Sequence, residues 1–124
     1  MKTLLCGLLL SALTLSAAEI TGKWSGSFDI TNSDGATEAD TAYMSLKQNG
    51  GEVTGTAGPS ADKQWTIQKG KLDGQKLTFE VLMEDGGTLV FDLTFDDSSI
   101  EGNVKGTGSG GEQMSAKTKL KRTT

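Results

Sequence analysis

Acid–base chemistry in this 124-residue chain would have to come from carboxylates, because it has no histidine and its single cysteine is Cys6. Without imidazole or a second thiol, no nucleophile–base pair of the Ser–His or Cys–His kind can be assembled. Asp29, Glu80, Asp92 and Glu101 sit in segments of alternating polarity, on the side away from the apolar residues. A carboxyl group working as general acid or base needs burial or a close neighbour to tune it, and an outward position offers neither. The chain therefore reads as a non-enzyme. Asn32-Ser33-Asp34-Gly35, followed by Glu38 and Asp40, has the composition of a calcium loop. The EF-hand spacing requires an acidic residue where Ile30 stands, so the segment reads as an acidic loop, and no metal or other cofactor is expected. Lys117, Lys119 and Lys121 alternate along one outward face. Such a row either meets an acidic partner or is a solvated face that discourages edge pairing. Met44, Met83 and Met114 are the remaining candidates: thioethers are soft enough for Cu(I) and flexible enough to line an adaptable apolar pocket.

The amino-terminal stretch has a different job. Lys2 precedes an apolar run from Leu4 to Leu15 that ends in Ser16-Ala17-Ala18. A positive start, a short apolar run and small residues at −3 and −1 predict a secretory signal peptide cut before Glu19. The run is shorter than the roughly 20 apolar residues of a membrane-spanning helix, and Cys6 lies too early in it to end a lipoprotein signal. The expected organisation is a signal peptide over 1–18 and one domain over 19–124, secreted or periplasmic, with no membrane span after cleavage. A domain of about 100 residues can bury sufficient core without disulfides. The formal net charge of −4, from 12 Lys and Arg against 16 Asp and Glu, argues against a nucleic-acid partner, which is held through dense cationic side chains.

Positioning of these residues falls to strands. Ile20, Gly22, Trp24, Gly26, Phe28 and Ile30 alternate with polar residues, and the same period of two recurs along the chain. It runs through Met44–Leu46, Val53–Ala57, Trp65–Ile67, Leu77–Met83, Leu89–Phe95, Ile100–Val104 and Met114–Leu120. Period two with one apolar face predicts half-buried strands, about eight of them. Facing inward residues across each turn predicts Leu46 opposite Val53 around Asn49-Gly50, Met83 opposite Leu89 around 85–87, and Phe95 opposite Ile100 around Asp97-Ser98. Eight short strands with tight turns cover their apolar face by closing into an all-β antiparallel up-and-down barrel. The alternative is a two-sheet β-sandwich, which would usually need longer crossing connections.

Two segments carry a resemblance. Ile20-Thr21-Gly22-Lys23-Trp24 resembles the ITGxW opening of avidins and the GxW of lipocalins, and Val53-Thr54-Gly55-Thr56 resembles the avidin LTGT strand. The resemblance to this calycin-like superfamily of up-and-down barrels implies that Trp24 plugs one end. It also implies that a basic side chain from the last strand lies across that ring. Arg122, the only arginine, has the inward parity for the role; otherwise it is a solvated chain end. The avidin pattern places Asn, Ser and an aromatic where this chain has Gly26, Ile30 and Ala57, so biotin binding is not implied.

In an up-and-down barrel the odd connections share one end, here 32–40, 58–63, 85–87 and 107–111. Three of these are long, so this end is expected to be the mouth. Ile30, Met44, Trp65, Met83, Leu89 and Met114 are the inward residues nearest to it. They read as an apolar pocket for a small hydrophobic molecule or as side chains filling the barrel, since eight strands enclose little more. A filled barrel would instead be a protein-interaction module, for example a barrel-shaped protease inhibitor. The predicted register also sets Leu82 against Val90 on the outside, with Tyr43 elsewhere: isolated surface apolars or the seam of a weak dimer, the chain otherwise being a monomer.

Overall fold

Alternation along the sequence becomes eight antiparallel strands in the computed structural model, which describes residues 19–32, 34–96 and 98–123. They are β1 (Gly22–Asn32), β2 (Thr37–Asn49), β3 (Glu52–Ser60), β4 (Lys63–Asp73), β5 (Lys76–Leu82), β6 (Thr88–Asp96), β7 (Ser99–Thr107) and β8 (Gln113–Arg122). Each pairs with its sequence neighbour, and β1 pairs with β8 to close the barrel. Closure satisfies the backbone groups that an open sheet would leave at its edges. The sandwich alternative is thereby set aside. The signal-peptide reading of 1–18 lies outside the described residues.

The turn rules place one register and miss two. Phe95 faces Ile100 and Asp96 faces Ser99, as the sequence predicts; of the turn residues, Asp97 lies outside the described residues. Asp96 accepts the Ser98 and Ser99 backbone N–H groups, each at 3.0 Å, and these bonds hold its carboxyl below the ordinary range. Across β2 and β3, Leu46 faces Gly55 rather than Val53, and Val53 faces Gln48. The turn is therefore Gly50-Gly51, not Asn49-Gly50. Gly50 takes φ +67° and Gly51 has no positive φ, the pattern of a type II′ turn, which puts glycine first. Across β5 and β6, Leu89 faces Val81 rather than Met83, and the connection widens to 83–87. It is held by Met83 N–H to the Gly87 carbonyl (2.8 Å) and Gly87 N–H to Asp85 Oδ1 (2.8 Å). Leu82 consequently faces Thr88 while Val90 faces Glu80, so the expected outward pair is diagonal.

Strands also reach further than the sequence predicts. β2 begins at Thr37, and β3 and β4 leave only 61–62 between them, so the expected 32–40 and 58–63 loops are largely strand. In β4, Lys69 takes φ +56° beside a register shift between Gln68 and Lys71. The bulge resets parity and turns Leu72 into the core, 8% exposed, and the turn into β5 falls at 74–75.

Packing divides the interior into two levels. At the level of Trp24, the side chains of Leu77, Phe79, Leu93, Phe95, Ile100, Val104 and Leu120 are buried essentially completely. Trp24 meets Phe95 edge to face at 5.7 Å, and Phe79 stacks on Phe91 at 4.4 Å. Thr118, the one buried polar residue among those described, donates to the Ser27 carbonyl at 2.8 Å, which meets the requirement that a buried hydroxyl be bonded.

Candidate ligand-binding site

The Trp24 end is sealed by the segment leading into β1. Trp24 Nε1 donates to the Ile20 carbonyl at 3.0 Å, and Ile20 itself is wholly buried. The Arg122 guanidinium carbon lies 4.4 Å from the centre of the Trp24 ring. Its Nη1 donates to the Thr21 carbonyl (2.9 Å) and its Nη2 to the Glu19 carbonyl (2.8 Å). Arg122 is therefore a clamp on the leading segment, not a solvated chain end. Hydrogen bonds from the Thr21 hydroxyl and backbone N–H, with a smaller contribution from Arg122, hold the Glu19 carboxyl below its ordinary range.

The opposite end is open. A cavity of about 360 Å³ enters between the connections of that end. Ile30, Met44, Trp65, Met83, Leu89 and Met114 all line it, so the structure brings the six sequence-predicted residues into one space. Each comes from the inward row of a different strand or, for Met83, from the start of the 83–87 connection. Phe28, Val81 and Phe91 also line the cavity, with the Phe28 and Phe91 rings 6.4 Å apart. Below them the Phe79–Phe91 stack begins the filled level.

Sequence reasoning missed the residues that make the space. Ala42, Ala57 and Gly106 line the cavity at inward positions where bulkier side chains would occupy it. Ala57 faces Met44 on one side and Trp65 on the other. Trp65 is steadied from outside by Gln64, whose amide donates to the Ser60 (2.9 Å) and Tyr43 (3.1 Å) carbonyls and accepts from Thr56 (2.7 Å). Small residues at inward positions on the mouth side were the available signal; it lies in what is absent from the row.

The rim is polar: Asn32, Asp40, Thr41, Thr107, Glu112 and Gln113 also line the opening. Chemically the site offers apolar contact below and hydrogen bonding above, the usual division in a small-molecule pocket. Among the described residues, no three His, Cys, Asp or Glu side chains gather as a metal site. A second concavity, about 550 Å³, crosses the outer wall of β6, β7, β8 and β1 among Asp29, Asp92, Lys105 and Lys117. It has the solvated, mixed-charge character of ordinary barrel surface. Lys117 and Lys119 face Asp29 and Glu101 across the strands, so the lysine row is partly neutralised by its neighbours. Leu82 and Val90 are exposed, at 56% and 46%.

Fold and cavity together define a closed eight-stranded up-and-down barrel, sealed at one end and open at the other, compatible with a calycin-like architecture. No protein-family model matches the chain, and no curated protein matches it.

Proposed function

We propose that the chain is an exported, non-enzymatic binding protein of lipocalin- or avidin-like type that takes a small hydrophobic molecule into its open end. The observation that carries this reading is the apolar cavity of about 360 Å³ above the Phe28–Phe91 level. Pockets for small molecules run from about 300 to 1,000 Å³, so the ligand is small or enters with one end only. Three thioethers and an indole in the wall suit a ligand recognised by dispersion and shape. The competing reading, a solid barrel acting only as a protein-interaction module, has this space against it.

The test is titration with N-phenyl-1-naphthylamine, a neutral apolar fluorophore. Probe emission is expected to rise and shift to the blue while Trp65 emission is quenched, with Trp65→Phe identifying which indole responds. Ala57→Leu extends a side chain between Met44 and Trp65 and is expected to abolish the response. Because it fills space that is already empty, its unfolding midpoint should match or exceed that of the parent. No response from the parent protein, or an undiminished one from a folded Ala57→Leu variant, would overturn the proposal.

A further inference from the structure

The charge at the lip is one-sided, and from it we infer that the cavity prefers an amphiphile with a cationic head group, an alkylammonium rather than a carboxylate. The inference rests on the cavity being a ligand site and specifies what enters it. The two charged residues that line the opening are Asp40 and Glu112, both carboxylates. Asp40 continues the inward row of β2 above Ala42 and Met44, and Glu112 ends the 108–112 connection, two residues before Met114 of β8. These strands flank β1, where Asp40 faces Phe28 and Met114 faces Asn32. Asn32, which also lines the opening, therefore lies between them. The two lining carboxylates thus stand on the arc of the mouth formed by β1 and its two neighbours.

Nothing among the described residues neutralises that arc. The ion pairs present are Lys69–Glu80, Lys76–Asp92 and Lys119–Glu101, all on the outer wall. Loop 108–112 leaves room for the acid: a side chain on Gly108 or Gly110 would run into the Glu112 carboxylate. Further carboxylates stand in the same end's connections at Asp34, Asp62, Glu84 and Asp85. Among the described residues the cations near this end are Lys63, on the far side of the mouth with Nζ 5.6 Å from the centre of the Trp65 ring, and Lys105, which faces Ser115 on the outer wall and does not line the opening. A ligand seated with its tail against Trp65 and the methionines would bring its head to the lip. At the β1–β2–β8 arc an ammonium meets opposite charge and a carboxylate meets like charge; both side chains are exposed, so the discrimination is electrostatic, short in range and screened by salt.

The experiment uses three ligands with one tail, n-decylamine, n-decanol and n-decanoate, each below its micellar concentration at neutral pH, read by Trp65 emission. The amine is expected to bind at least ~10-fold more tightly than the alcohol, equivalent to about 1.4 kcal/mol, with decanoate weakest. Asp40→Asn combined with Glu112→Gln should bring amine and alcohol to within about threefold, leaving the alcohol affinity unchanged, and added salt should weaken only the amine. If the alcohol binds while decanoate equals or exceeds the amine, charge selection is overturned and the apolar cavity stands. If none of the three binds, the cavity reading fails and this inference falls with it.

Discussion

Arg122 joins the two chain ends of the domain. Its planar fork reaches two carbonyls of the segment before β1, while its face covers Trp24. Lysine cannot reproduce that combination, because a single ammonium lacks both the flat surface and the paired donors. Arg122→Ala is expected to lower unfolding free energy by about 1–3 kcal/mol, from a cation–π contact plus charge-assisted hydrogen bonds. Arg122→Lys should fall between, and Trp24 emission should shift to the red in the alanine variant as water reaches the ring. A denaturant midpoint unchanged in Arg122→Ala would rule the clamp out. The inward placement of Arg122 was legible from parity alone; its contact with Trp24 came from the family resemblance. The cavity was half legible in the same way: Met44, Trp65 and Met114 announce themselves on inward rows. The void beside them depends on Ala42, Ala57 and Gly106 meeting across different strands, and a one-dimensional pattern does not record which small residues become neighbours.

At the level of strands, alternation identifies faces and leaves register partly open. A slip of one residue would turn every side chain over, but a slip of two preserves which face is buried. That is why the β2–β3 and β5–β6 pairings differ by two from the arrangement the apolar residues predict, while every inward residue stays inward. Turn chemistry decides between such registers, and where glycines follow one another, as in Gly50-Gly51 and Gly86-Gly87, it offers more than one answer. The β4 bulge was hidden for a related reason: Lys69 with positive φ gives no glycine at the bulged position itself to mark it. The closing seam makes a sharper demand. A Cβ on Gly26 would collide with the Lys119 carbonyl and the Leu120 backbone, neither of which can rotate away as a side chain would. Overpacking usually costs about 1–3 kcal/mol, so Gly26→Ala is expected at or above the top of that range. Gly51→Ala is the control: its added carbon meets nothing nearer than the Leu72 carbonyl at 3.6 Å, and its effect should stay within about 0.5 kcal/mol. Equal midpoints for the two variants, by thermal or urea unfolding, would show that β1 and β8 do not approach as closely as the barrel requires.

The molecule as a whole is asymmetric along its axis, and the asymmetry links stability to binding. Side chains fill the Trp24 level, where Leu77, Leu93, Ile100 and Leu120 have no exposed surface. The mouth level surrounds a space lacking those contacts, and cavity-lining atoms forgo the dispersion contacts a filled interior would supply. A barrel built this way concentrates its stability at the sealed end and leaves the open end able to adjust around a guest, as local opening follows the density of buried contacts. Native-state hydrogen exchange should display this gradient. Backbone amides near Leu77, Leu93 and Ile100 are expected to exchange only by global unfolding. Those at the lip pairs Leu82–Thr88 and Thr107–Gln113 should exchange through smaller local openings, at least ~10-fold faster. A bound ligand should then slow exchange at the lip more than at the floor, and at 100 times its dissociation constant raise global stability by about 2.7 kcal/mol. Protection equal from lip to floor in the ligand-free protein would mean that the upper level is packed as firmly as the lower, which an interior space of about 360 Å³ does not allow.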